Sequence, residues 1–81
     1  MKRVPKFEER LLLARRRRQM SQYQLAKATG FYTTDICKYE RGVMVPNLHK
    51  FLALAEALQV SANFLSGQGP DEEEARQHPT G

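Results

Sequence analysis

Apolar side chains recur along the first part of the chain at intervals of three and four residues, which is the spacing of an amphipathic α-helix. Phe7, Leu11 and Ala14 share one side of a helix predicted over about residues 5–19. Leu12 and Leu13 point away from that stripe at about 100° per residue, so we expect them to be singly exposed or to contact a partner. This segment is therefore predicted to be the first helix.

Two short helical patterns follow, separated by a single glycine. Ser21 is a good N-cap for a helix over about residues 21–29, and Gly30 is placed to end that helix in a left-handed turn. The next pattern predicts a helix over residues 33–41 with Ile36 facing inward. Two such helices joined by a tight turn form a helix-turn-helix.

The second half of the chain predicts two more helices. Asn47 is a suitable N-cap for the fourth helix, and Ser61 for a last short turn that ends at Leu65. The fourth helix carries the clearest apolar stripe, formed by Leu48, Phe51, Leu52, Ala55 and Leu58. No segment alternates polar and apolar residues over the length of a strand. The pattern therefore predicts an all-α domain of five helices.

The third helix carries polar side chains where a core helix would carry leucine. With Ile36 inward, its outer side presents Thr34, Cys37, Lys38 and Arg41, with Thr33 at the start. A narrow polar helix of this kind fits the major groove of DNA, where base edges offer hydrogen-bonding partners. The side-chain pattern favours a helix that reads DNA.

Charge supports the same interpretation. The 81 residues carry a formal net charge of +4. Residues 69–81 contain four acidic residues and one arginine, so the rest of the chain, with twelve basic and five acidic residues, carries +7. A field of this sign favours a polyanion such as nucleic acid. The acidic tail is expected to be frayed and solvated.

Other classes of function lack support in the sequence. The single cysteine, Cys37, excludes an intramolecular disulfide, and no Cys and His spacing resembles a metal site. There is no nucleophile paired with a base, no phosphate-binding loop and no apolar run of membrane-spanning length, which is about 18 residues. We expect a cytoplasmic protein that is not an enzyme, with no cofactor, no small-molecule ligand and no membrane partner.

Residues 7–66 resemble the lambda-repressor/Cro family of helix-turn-helix domains, the Xre-type prokaryotic regulators. The resemblance is carried by Phe7, Leu11 and Arg15 in the first helix and by the strings MSQYQLAKATG, I..YERG and PN…A.AL.VS..FL. It implies a compact five-helix domain that binds double-stranded DNA at a palindromic operator as a homodimer. The usual outcome in this family is repression, in a prokaryotic, plasmid or phage setting close to the nucleoid.

The resemblance also implies roles for individual residues. Thr33, Thr34 and Lys38 match the base-contacting positions of the family, and Arg15 with Glu40 matches an ion pair between the first and third helices. Contacts to DNA phosphates are implied for Ser21, Gln22, Tyr32 and Arg41, and the arginine run adds Arg17 and Arg18. Tyr32 is a poor N-cap for the third helix, which leaves Thr33 as the alternative cap.

The predicted domain boundaries are a basic arm over residues 1–4, the DNA-binding domain over residues 5–66 and an acidic tail over residues 67–81. A protein-interaction module on the same fold, such as an adaptor or an antitoxin-like partner, is the alternative function. Apolar surface favours that alternative, and the candidates for it are Leu12, Leu13, Val43, Met44 and Val45.

Overall fold

The computed structural model describes residues 7–67 and contains five helices in that range. They are α1 (Phe7–Arg17), α2 (Gln22–Thr29), α3 (Thr33–Arg41), α4 (Leu48–Leu58) and α5 (Ala62–Leu65). No strand occurs between residues 7 and 67. The predicted all-α order of five helices is confirmed. The arm, most of the acidic tail and the expected start of the first helix near residue 5 lie outside the described residues.

Side-chain caps begin three of the helices. The Ser21 hydroxyl accepts a hydrogen bond from the Gln24 amide at 3.0 Å, and the Gln24 side chain accepts one from the Ser21 amide at 2.7 Å. Asn47 caps α4 and Ser61 caps α5 in the expected way. These bonds satisfy backbone N–H groups that have no partner inside the helix. The predicted caps are therefore confirmed at all three positions.

The structure also decides between the two possible caps of α3. Tyr32 is the N-cap residue, with φ −83° and ψ 143°, and its side chain makes no capping hydrogen bond. Thr33 is thus the first helical residue and not the cap. Gly42 ends the helix with φ +76°, in the left-handed region where a side chain is unfavourable.

One apolar core joins all five helices. It consists of Leu11, Ala14, Leu25, Ala26, Ile36, Tyr39, Leu54, Ala55, Leu58, Phe64 and Leu65. Helix α3 packs on α1 and α2, while α5 packs on α1 and α4. The core therefore holds α3 from its inner side and leaves its outer side to solvent.

Three apolar residues lie differently from what the sequence pattern suggests. Leu48 and Leu52 belong to the apolar stripe predicted for α4, yet their side chains are 71% and 48% exposed. Leu52 lies about 130° around the helix from the centre of the inward face formed by half-buried Phe51 and buried Leu54 and Leu58, and Leu48 is the first residue of α4. In contrast, Leu13 was expected to point away from the core and instead packs against it.

A glutamine with left-handed backbone follows the end of α1 and the end of α4. Gln19 has φ +56° and Gln59 has φ +58°. Such a conformation costs a residue with a Cβ roughly 1–2 kcal/mol. We expect Gln19→Gly to raise the free energy of unfolding by about 0.5–1 kcal/mol, as measured by urea denaturation.

The matched control for this prediction is Ala28→Gly, at an exposed position inside α2. It should lower the free energy of unfolding by about 1 kcal/mol, because glycine is unfavourable within a helix. If Gln19→Gly destabilises the protein as Ala28→Gly does, the left-handed turn imposes no strain at Gln19.

Tyr39 sits in the core against the edge of the Phe7 ring, with ring centroids 6.3 Å apart. Burial raises the pKa of its phenol, and the negative charge of Asp35 raises it further. Above about pH 10 an unfolded chain loses this proton while the folded one keeps it, so stability falls as pH rises. Between about pH 9 and 11, the free energy of unfolding of Tyr39→Phe should fall less steeply with rising pH than that of the wild type. Parallel curves for Tyr39→Phe and the wild type would show that the Tyr39 proton is not linked to folding.

Candidate nucleic-acid interface

A tight turn sets α2 against α3. The amides of Gly30 and Phe31 both donate to the Ala26 carbonyl, at 2.8 and 3.0 Å, and Gly30 has φ +81°. Leu25, Ala26 and Ile36 are buried at the contact between the two helices. Helices α2 and α3 therefore form the helix-turn-helix that the sequence predicted.

The outer side of α3 is polar and accessible. Thr33, Thr34 and Lys38 are all exposed, and Arg41 continues the same side one turn further on. Ile36 and Tyr39 occupy the opposite side and are buried. The three residues expected to contact bases thus share one surface of α3, which we call the reading surface (Thr33, Thr34 and Lys38).

Tyr32 and Ser21 lie at the starts of the two helices of the helix-turn-helix. Tyr32, at the start of α3, is 76% exposed. Ser21 is exposed at the start of α2, although its hydroxyl already accepts the capping hydrogen bond from Gln24. Its hydroxyl hydrogen can still be donated. Asp35 lies in the first turn of α3, where the helix dipole stabilises a negative charge.

Arg15 and Glu40 form an ion pair beneath the C-terminal end of α3. Arg15 Nε and Nη2 donate to the two carboxylate oxygens of Glu40 at 2.5 and 3.1 Å. The side chains are only 13% and 6% exposed. The same carboxylate also accepts a hydrogen bond from the side-chain amide of Gln22 at 3.0 Å. Gln22, expected at a phosphate, therefore already has a partner inside the protein.

The arginines of the run at the end of α1 occupy different surroundings. Arg17 is exposed on the last turn of α1. The guanidinium of Arg18 donates from Nε to the Leu58 carbonyl at 2.8 Å and from Nη2 to the Gln59 carbonyl at 3.2 Å. Arg18 thus satisfies carbonyl groups at the C-terminal end of α4, a role that the sequence analysis did not foresee. A phosphate contact by Arg18 would have to compete with these two hydrogen bonds.

Arg10 is a buried charged residue that the sequence analysis missed. Its guanidinium lies 4.5 Å from the centre of the Phe64 ring, and its side chain is within 3.4 Å of the Phe64 carbonyl. The signal was present, because Arg10 lies four residues before the buried Ala14 on the same side of α1. Arg10 joins α1 to α5 and has no part in the reading surface.

Two other kinds of function find no support in the part of the chain that is described. Within residues 7–67, no group of three or more His, Cys, Asp or Glu side chains is arranged to hold a metal ion. None of the helices described there has the length and apolar character needed to cross a bilayer.

Comparison with known proteins identifies the family. Residues 9–68 match the family described as "Helix-turn-helix domain". The transcriptional repressor RstR of the cryptic phage CTXphi, from Vibrio cholerae, is 32% identical over 68 residues, which cover 84% of this chain. The match spans 61% of the length of that relative.

Solved structures agree with this assignment. The DNA-binding domain of the P22 C2 repressor has a TM-score of 0.75 at 31% identity, covering 79% of this chain and 84% of that domain. The restriction-modification controller protein C.AhdI from Aeromonas hydrophila has a TM-score of 0.71 at 32% identity, covering 76% of this chain and 94% of that protein. A hypothetical transcription factor from Neisseria shares the fold, with 24% identity and a TM-score of 0.75. The match covers 96% of this chain and 95% of that protein. The chain belongs to the helix-turn-helix domain family, and its domain is of the lambda-repressor type.

Proposed function

We propose that the protein is a sequence-specific repressor that inserts α3 into the major groove of its operator. The observation that carries this proposal is the reading surface, in which Thr33, Thr34 and Lys38 are exposed on a helix held from behind by the core. Lysine donates to O6 or N7 of guanine, and threonine offers a hydroxyl or a methyl contact to thymine. These three side chains would therefore select the bases of one half-site.

Phosphate contacts would surround this surface and supply affinity without selecting a sequence. The best placed groups are the exposed side chains of Arg41, Tyr32 and Arg17, together with Ser21 and Gln22 at the start of α2. The N-terminal end of a helix favours a phosphate because its backbone N–H groups point outward. A formal charge of +7 on residues 1–68 would add long-range attraction.

We further propose that two copies bind a palindromic operator. One domain presents one reading helix, and a two-fold dimer would place two of them on half-sites about 34 Å apart, one turn of DNA. The names of the relatives support regulation in a phage or restriction-modification setting, since they describe phage repressors and a controller protein. The protein would then act in the prokaryotic cytoplasm, at the nucleoid or on plasmid or phage DNA.

The salt dependence of binding tests the phosphate contacts. The logarithm of the affinity for a non-specific duplex should fall linearly with the logarithm of salt concentration between about 50 and 200 mM. We expect Arg41→Ala to weaken binding equally on all sequences and to reduce the slope by about one unit. Fluorescence anisotropy with a labelled duplex measures both quantities, and an unchanged slope would remove Arg41 from the phosphate contacts.

A protein-interaction module is a second candidate, and a specific observation favours it. Val43 and Val45 in the loop before α4 are 63% and 82% exposed, and Leu48 and Leu52 on α4 are exposed as well. Exposed apolar side chains of this size are typical of protein contacts. Salt separates the two functions, because a module that binds only protein would show no steep loss of duplex binding as salt rises.

A further inference from the structure

The Glu40 carboxylate connects α3 to α1 and α2. Glu40, near the end of α3, accepts hydrogen bonds from Arg15 of α1 and from Gln22, the first residue of α2. The remaining terminal nitrogen of Arg15, Nη1, donates at 2.8 Å to the Met20 carbonyl, just before the cap of α2. We call Arg15, Glu40 and Gln22 the carboxylate node. The node ties the start of α2 to the end of the reading helix.

The node also fixes which way the Gln22 amide faces. An ionised carboxylate only accepts hydrogen bonds, so the Gln22 nitrogen, and not its oxygen, must face Glu40. That nitrogen carries two hydrogens, and the 3.0 Å bond to Glu40 uses one of them. The second N–H remains a donor at the start of α2, where the helix already favours a phosphate oxygen.

We propose that Glu40 and Arg15 are positioning residues for DNA binding, which act by holding the Gln22 amide ready to donate to a phosphate. Glu40 sets the direction of the amide, and the Arg15 guanidinium holds the Glu40 carboxylate in place through two hydrogen bonds. This inference rests on the proposed function. Because a held side chain loses no further freedom on binding, the node should improve affinity by about two- to tenfold.

A double-mutant cycle tests the coupling between the node and Gln22. Arg15→Met/Glu40→Met removes both charges together, which is tolerated far better than removing one. In the wild type, Gln22→Ala should weaken duplex binding by about tenfold. In the Arg15→Met/Glu40→Met background, Gln22→Ala should cost no more than about twofold. Equal losses from Gln22→Ala in the two backgrounds would overturn the proposal, as would wild-type affinity in Arg15→Met/Glu40→Met.

Base preference separates positioning of Gln22 from a displaced reading helix. If the node acts through Gln22, Arg15→Met/Glu40→Met should keep both the preferred sequence and the salt slope, because the Gln22 amide carries no charge and the double substitution leaves the net charge unchanged. A changed sequence preference would instead show that α3 itself had moved, and would contradict the proposal. Lys38→Ala is the matched control, since its exposed side chain belongs to the reading surface and its loss should be the same in both backgrounds.

The free protein offers an independent measurement that needs no DNA. In the wild type, the side-chain N–H of Gln22 that is hydrogen-bonded to Glu40 should exchange with solvent at least about fivefold more slowly than the side-chain N–H groups of exposed Gln59. In Arg15→Met/Glu40→Met the two rates should become equal. Equal exchange rates in the wild type would show that Glu40 does not hold Gln22, and would overturn the proposal. Slow exchange at Gln22 in a protein that binds no duplex would count against the proposed function alone.

Discussion

Replacing Glu40 by alanine is expected to lower the free energy of unfolding by about 3–5 kcal/mol. The substitution leaves the Arg15 guanidinium, whose side chain is 13% exposed, without its carboxylate partner. It also removes the acceptor for the Gln22 amide. A domain of this size has a total stability of roughly 4–12 kcal/mol, so a large share of it would be lost. Urea denaturation followed by circular dichroism measures the change.

The control for this result is the double substitution Arg15→Met/Glu40→Met. Replacing a buried ion pair by apolar residues of similar volume is often neutral or stabilising. The double variant should therefore stay within about 2 kcal/mol of the wild type, or exceed it. If Glu40→Ala alone costs less than about 1 kcal/mol, the pair behaves as a surface salt bridge and does not hold α3.

Replacing Lys38 by alanine is expected to weaken operator binding by about 1–3 kcal/mol and to relax the preference at one base pair in each half-site. Lys38 is exposed on the outer side of α3, where no core contact depends on it. The loss should therefore appear in binding and leave the free energy of unfolding within about 0.5 kcal/mol of the wild type. Affinities for the operator and for its single-base variants measure the effect.

Lys27→Ala is the matched control for base selection. Lys27 is an exposed lysine of α2 whose ammonium lies 5.8 Å from the centre of the Tyr23 ring, away from the reading surface. Its loss can lower affinity but should leave the base preference unchanged. A uniform loss across all sequences for Lys38→Ala would show that Lys38 contacts phosphate and reads no base.

The fold followed from local rules that act within a few residues. Ser21, Asn47 and Ser61 mark helix starts, and Gly30 and Gly42 mark helix ends, because capping and left-handed turns favour those residue types. The outer side of α3 followed in turn from the inward position of Ile36. These features depend on backbone geometry, which the residue types within a few positions determine.

The features that the sequence could not supply depend on distant neighbours. Leu48 and Leu52 fit an apolar stripe by spacing, yet both side chains are exposed within the described residues. The bonds from Gln22 to Glu40 and from Arg18 to the end of α4 join residues 18 and at least 40 positions apart. Periodicity within one helix carries no information about such pairs. The candidate site was therefore predictable as a surface, while the support beneath it was not.

Selection of bound duplexes from a random pool tests most directly whether α3 reads base sequence. The account predicts an enriched motif made of two inverted half-sites whose centres lie about 10–10.5 base pairs apart, with altered bases in each half when Lys38→Ala is used. A bound pool with no more sequence preference than the starting pool would contradict it.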